Sequence, residues 1–279
     1  MKLHILRCGT MRVSRTVPFG NAIDLKNTSR QLLTPDDRRV ELPVFCYLIE
    51  HPAHGLLLVD TGWCRELSPG GVYDPKAAAR VLPGYLSAFY HPCLPAGEAV
   101  HEQLAARGLR AEDLDCVILT HLDPDHVAGL RHLRGARRIV LPEYEYYWSC
   151  RTVFKARQPQ SLWMDVPMER PYYRGAQDCP NRWAVDLFGD GSVQLVHMPG
   201  HTEGQAAVLL RGGSRFAVLA ADAAFSPRNW AEEITPGYGF DREQQLVCLR
   251  WLKEKAADPA CAGIWCSHDA AVAPGTVEW

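Results

Sequence analysis

The chain has 279 residues, 47% of them hydrophobic and 22% charged. That is the balance of a globular protein long enough to bury a core without disulfide or metal staples. Thirty basic against 32 acidic side chains leave a formal charge of −2, which argues against nucleic acid and directs attention to small-molecule partners.

No apolar run reaches the roughly 18–20 residues that a membrane helix needs, so no membrane partner is expected. Met1 to Cys8 reads as an alternating strand, not as a secretory leader. The ten cysteines are scattered and form no CxxC pair. A thiolate zinc site and a disulfide framework are both disfavoured, and a cytoplasmic, reduced protein is expected.

In chain order, Leu3–Arg7, Val44–Glu50 and Gly55–Asp60 are short strand patterns, the last two separated by the turn-forming HPAHG. Gly97–Arg107 reads as a helix. CVILT (Cys116–Thr120) is a continuous apolar run of the buried-strand kind. Val127–Leu133 follows as a helix and Arg138–Leu141 as a strand. Val193–His197, Ala206–Leu210 and Phe216–Ala220 are further strands. Asp241–Ala256 is an amphipathic helix with Leu246, Leu249 and Leu252 inward, and Ala262–Cys266 is a last strand. Residues 63–95 and 143–183 read as long excursions rich in proline and aromatics, including Tyr85, Phe89, Tyr144, Tyr147, Trp148 and Phe154. Long aromatic loops are usually functional; as plain loop anchors or a homodimer face they would look the same. A single domain over 1–279 is expected, with those two excursions.

The chemistry concentrates after CVILT, in His121-Leu122-Asp123-Pro124-Asp125-His126. Four metal-binding side chains within six positions repel one another unless a cation sits among them. A solvated acidic loop is the plain alternative, but the flanks CVILT and VAGL are apolar. Three more strand patterns end in the same way: LVHMP leads to Gly200-His201, VLAA to Asp222, and IWCS to His268. One histidine at a strand end is usually structural; four strand ends delivering His and Asp point to one site.

With these residues the chain resembles the metallo-β-lactamase superfamily, whose HxHxDH, lone His, lone Asp and lone His correspond to HLDPDH, PGHTEG, AAD and SHD. Asp60-Thr61-Gly62 matches its opening DTG. LPVFCYLIE with LLVDTGW, PGHTEGQ and PGYGFDREQQL bring it nearest the N-acyl homoserine lactonases. The resemblance implies an α/β fold, a four-layer αββα sandwich, holding two divalent metal ions. One would be bound by His121, position 123 and His201, the other by Asp125, His126 and His268, with Asp222 bridging. Zinc is the first choice. Asp60 is expected to order the ligand loop instead of binding metal.

Two departures follow. Position 123 is Asp where the family pattern has His, which keeps a ligand atom but hardens the site and admits Mn or Fe; the alternative is that Asp123 turns away. Phe225 stands where the lactonases carry a tyrosine that bonds the substrate carbonyl. The expected activity is ester hydrolysis by a metal-bridging hydroxide, opening a lactone or cutting a related acyl ester, with Asp125 and Asp222 catalytic and Tyr85, Phe89 and Phe225 contacting substrate. The alternatives are a glyoxalase II-like thioesterase, for which Arg131, Arg134, Arg137 and Arg138 would form a carrier surface, and a non-hydrolytic di-metal redox module of the flavodiiron kind.

Overall fold

Twelve strands form two six-stranded sheets in the computed structural model, which describes residues 1–20, 34–151 and 155–279. The first sheet contains β1 (Lys2–Ser14), β2 (Arg39–His51), β3 (Gly55–Val59), β4 (Cys116–Ile118) and β5 (Ile139–Val140). The second contains β6 (Arg174–Gly175), β7 (Trp183–Asp186), β8 (Val193–His197), β9 (Ala206–Gly212), β10 (Arg215–Ala221) and β11 (Cys261–Cys266). β12 (Gly275–Glu278) returns to the first sheet beside β1, giving the orders β12-β1-β2-β3-β4-β5 and β11-β10-β9-β8-β7-β6. Both are mixed: β3-β4-β5 and β10-β11 pair parallel, the rest antiparallel.

The two-residue period of the strands sorts the core into layers. From β2, Phe45, Tyr47 and Ile49 point between the sheets, where they meet Leu195, Val208, Leu210 and Leu219 from the second sheet. The alternate residues Val44, Cys46 and Leu48 face outward under Ala78, Leu86, Phe89 and Leu104 of three short helices, Pro75–Val81, Gly84–Tyr90 and Val100–Ala105. Helix Arg242–Ala257 covers the second sheet with Cys248, Leu249, Trp251 and Leu252. The result is the αββα sandwich. Both sheets are covered on both faces, which is why their central strands read as unbroken apolar runs. Among the described residues no helix is long and apolar enough to cross a membrane.

Several elements differ from the sequence reading. The excursions are not plain loops: Pro75–Val81 and Gly84–Tyr90 lie in the first, Glu143–Ser149 and β6 in the second, where β7 also begins. Phe154, counted among the aromatics of the second, lies outside the described residues. The helix expected at Val127 starts at Pro124, whose fixed φ suits a first helical position, and gives way to a 3-10 turn at Ala128–His132. On Arg242–Ala257 the buried stripe runs through Gln245, Cys248, Leu249 and Leu252, with Leu246 only half-buried. Gln245 is drawn inward because this helix starts against the Gly200 turn: a Cβ on Gly200 would lie 2.6 Å from the Gln245 backbone nitrogen.

Candidate metal centre

β4, β8, β10 and β11 end at one edge of the sandwich, and cross-links there hold the loops together. The Ala206 amide donates to the Thr120 carbonyl at 2.9 Å, and the Phe45 amide donates to the Ser267 carbonyl at 2.9 Å. Gly200 sits at φ +122°, a conformation that disfavours a side chain, and its carbonyl accepts from the Asp241 amide at 3.0 Å. This turn delivers His201. Ala221, at φ +49°, turns the chain to deliver Asp222; such strained positions persist where the surroundings over-determine them.

His121, Asp123, Asp125, His126, His201, Asp222 and His268 are all brought together here, and each is at most 3% exposed. His268 Nε2 lies 3.2 Å from Asp125 Oδ2 and 3.1 Å from Asp222 Oδ1. His126 Nε2 is 3.2 Å from the same Asp222 oxygen and 3.5 Å from Asp125 Oδ2. Asp125, His126 and His268 form one potential ligand set, and His121, His201 and Asp222 form another. The Nε2 atoms of His121, His126 and His268 and Asp222 Oδ1 have no hydrogen-bond partner among the described residues. Buried polar atoms are ordinarily paired. Four that point at one another with carboxylates between them fit a divalent cation, which takes oxygen and imidazole nitrogen alike.

The opposite ring nitrogens fix the tautomers. His126 Nδ1 donates to Asp60 Oδ2 at 2.8 Å and His268 Nδ1 donates to the Pro43 carbonyl at 2.8 Å. Thr120 Oγ1 donates to Asp60 Oδ2 at 2.9 Å, leaving its lone pairs for His121 Nδ1 at 3.0 Å. Each Nε2 is thereby left as an acceptor facing the centre. Asp60 holds φ +58° and also accepts the Thr120 amide at 2.8 Å. Through these contacts it braces His126 and the start of the HLDPDH loop.

Two further residues carry the site and were not legible as such. Glu145, fully buried, accepts from the Leu122 amide (3.1 Å), Gln158 Nε2 (2.7 Å), Thr202 Oγ1 (2.7 Å) and the Gly204 amide (3.2 Å). It ties the HLDPDH and PGHTEG loops together. Arg157 grips Asp123 with two nitrogens: Nε at 2.8 Å from Oδ1 and Nη2 at 2.6 Å from Oδ2. Its Nη1 donates to the His201 carbonyl at 2.9 Å, and its guanidinium carbon stands 4.2 Å over the Tyr238 ring. The signal that could have found it is Asp123 itself, a surplus carboxylate in need of a cation.

The electrostatics follow from this packing. Burial disfavours the charged form of Asp123, but the Arg157 guanidinium and His121 outweigh it and hold the carboxyl well below its usual range. Asp222 behaves alike, burial being outweighed by His268 and His126. Burial and then the Arg157 charge press His201 down to about 4. Against burial, Asp222 and Asp125 lift His268 to about 10. The same carboxylates and Asp60 raise His126, again against burial, so a metal cation held there would compete with protons for these rings.

The expected substrate contacts are placed unequally. The Phe225 ring lies 4.9 Å from the His268 ring, at the centre. Phe89 is buried 4.7 Å from the Tyr238 ring, which in turn is 6.1 Å from His201. Tyr85 is largely exposed and donates to the Ala156 carbonyl at 2.5 Å. The second excursion forms an aromatic cleft of about 190 Å³ lined by Glu143, Tyr144, Tyr147, Tyr172, Tyr173 and Trp183, with no metal-type ligand of the centre among its walls. The four arginines raised as a carrier surface each face an acidic partner: Arg131 with Glu66, Arg134 with Asp165, Arg137 with Asp115, and Arg138 with Glu169.

The family described as the metallo-beta-lactamase superfamily matches residues 39–263. An N-acyl homoserine lactonase, AttM, of Agrobacterium fabrum is 28% identical over 240 residues, covering 84% of this chain and 82% of its own. An N-acyl homoserine lactonase of a Bacillus species is 28% identical over 250 residues, covering 85% and 86%. Among solved structures, an N-acyl homoserine lactone hydrolase with N-hexanoyl-L-homoserine at its catalytic metal centre superposes with a TM-score of 0.74 at 21% identity, covering 97% of this chain and 94% of the other. The dizinc lactonase AidC gives 0.61 at 16% identity, covering 96% and 87%.

Proposed function

The chain belongs to the metallo-beta-lactamase superfamily, and on that premise we propose that it is a metal-dependent hydrolase that opens a lactone or cleaves a related carboxylic ester, with N-acyl homoserine lactones the first substrates to try. The observation that carries the reading is the convergence of Asp125, His126, His268 and Asp222 on one buried point, with the Nε2 atoms of His126 and His268 and Asp222 Oδ1 unpartnered among the described residues. The lactonase relatives supply the substrate class.

A divalent metal bound there, zinc first and Mn or Fe as alternatives, supplies a water made acidic near neutral pH and a Lewis acid for the acyl carbonyl. The chain's own residues do the rest. Asp125, His126, His268 and Asp222 would hold the cation, and Asp60 and the Pro43 carbonyl, accepting from the two Nδ1–H groups, turn the imidazoles so that each Nε2 faces it. Asp125 and Asp222 carry the negative charge that the centre needs, and Asp125 serves the proton transfer to the leaving oxygen. The Phe225 ring provides an apolar wall beside His268 but no hydroxyl for the carbonyl. Because the four arginines are already paired, the thioesterase reading lacks the basic surface that it would need for an acidic carrier. The scatter of the ten cysteines without a CxxC pair supports a reducing compartment as the proposed location.

The test is a substrate panel with zinc-reconstituted protein: a medium-chain N-acyl homoserine lactone, a simple γ-lactone, a thioester and a phosphodiester. We expect ring opening, read as acid release and addition of one water, abolished by chelation and restored by zinc. Turnover of the thioester alone would overturn the substrate class. Turnover of none with metal bound would overturn the reading.

A further inference from the structure

Arg157 stands on the atoms that a second metal ion would need. Its Nη2 lies 2.6 Å from His201 Nε2 and 2.6 Å from Asp123 Oδ2. A guanidinium has only donors and keeps its charge at any working pH. His201 Nε2 must therefore be the acceptor, and its single lone pair is spent on the N–H. Asp123, 3.2 Å from the same His201 nitrogen and 3.7 Å from His121 Nε2, is likewise gripped, in a two-nitrogen fork of the strong charge-assisted kind. Of the residues at this corner, two of the ligand-type groups are thus engaged by a resident cation; His121 Nε2 is left unpartnered among the described residues, while the unpartnered Asp222 oxygen faces His126 and His268.

The other corner is built differently. Around Asp125, His126, His268 and Asp222 no lysine or arginine makes a contact among the described residues, and three of the unpartnered atoms gather there. The Arg157 guanidinium is also fixed in place, by the His201 carbonyl at 2.9 Å and by the Tyr238 face at 4.2 Å. It is a planar cation held on three sides, and a dication brought to the same corner would meet its charge head-on.

We propose that Arg157 replaces one of the two metal ions, so that the working centre contains a single metal ion, held by Asp125, His126, His268 and Asp222, and one guanidinium held by Asp123 and His201. This rests on the metal-dependent reading above. An aspartate at position 123 then has a physical purpose: it is the counter-ion of the arginine.

The experiment is a metal count. Protein stripped with a chelator is loaded with excess Zn²⁺, or with Co²⁺ followed by its visible absorption, then desalted and analysed for metal per chain. Wild type is expected to retain one ion. Arg157→Ala, which frees His201 Nε2 and Asp123, is expected to retain two, with the Co²⁺ absorption saturating at two equivalents in place of one. Circular dichroism checks that the variant is folded, and Arg157→Gln serves if it is not. Two tightly held ions in wild type overturn the proposal while leaving the hydrolase reading intact. One ion in both wild type and a folded variant overturns the role of Arg157. No ion in wild type overturns both readings together. If neither variant folds, the wild-type count alone decides between one ion and two.

Discussion

His126 Nδ1 and Asp60 Oδ2 lie 2.8 Å apart across 66 residues of chain, both buried. The contact turns a histidine of the ligand loop into a fixed acceptor and couples it to the turn after β3. Asp60→Ala should lower zinc affinity by roughly 10- to 100-fold, the usual effect of losing such a support. Competition with a chromophoric chelator measures it. An unchanged dissociation constant would show that the imidazole is held by its neighbours alone.

Asp222 offers one oxygen to His126 and His268 and the other, at 3.4 Å, to His201. Asp222→Ala should reduce both retained metal and turnover. Full metal content with lost turnover would move Asp222 from holding the ion to acting on substrate, and full activity would remove it from the centre.

Glu145 gathers four donors from three segments without exposure to water. Removing it leaves those donors unsatisfied, each at a cost of about 1–3 kcal/mol. Glu145→Ala should therefore destabilise the protein by at least about 3 kcal/mol in urea unfolding of the metal-free form. Glu145→Gln, which keeps one acceptor, should lose less. Equal losses would mean that packing, not hydrogen bonding, is what the residue provides.

The first excursion is anchored by an ion pair. Arg65 Nε and Nη2 lie 2.8 and 2.6 Å from the Glu102 carboxylate, and Arg65 also donates to the Leu94 and Pro95 carbonyls. The Arg65 hydrogen bond holds Glu102 below its ordinary value. A carboxyl with a depressed folded value stabilises above its unfolded value, near 4.3, and loses that contribution as pH falls through the folded value. The stability gap between wild type and Glu102→Gln should be full at pH 6 and close on going down through pH 4 toward 3. A gap that is constant over that range would refute the linkage.

Phe225 places a ring, but no donor, 4.9 Å from the His268 ring. If the acyl carbonyl lies over this ring, Phe225→Tyr supplies a missing oxyanion donor and should raise kcat on the accepted lactone by about tenfold or more, since such donors are worth 10²–10³ where native. No change, with the fold and metal content intact, would place the carbonyl elsewhere.

What the sequence determined by itself was set by local rules. Continuous apolar runs such as CVILT specify strands covered on both faces, and a His or Asp immediately after such a run must emerge at the strand's end. The HLDPDH loop, His201, Asp222 and His268 were legible for that reason, and Asp60 with them. What the sequence left open was decided by contacts between residues far apart in the chain. Pro75–Val81 and Gly84–Tyr90 are helices because the first sheet offers their apolar residues a surface to bury, which seven-residue segments cannot supply alone. Glu145 and Arg157 lie 23 and 34 residues from the amide and carboxylate that they bind, in an excursion without periodic pattern. Only the folded chain brings a guanidinium to Asp123, because a buried carboxylate needs a counter-charge and no local spacing says which arginine will supply it.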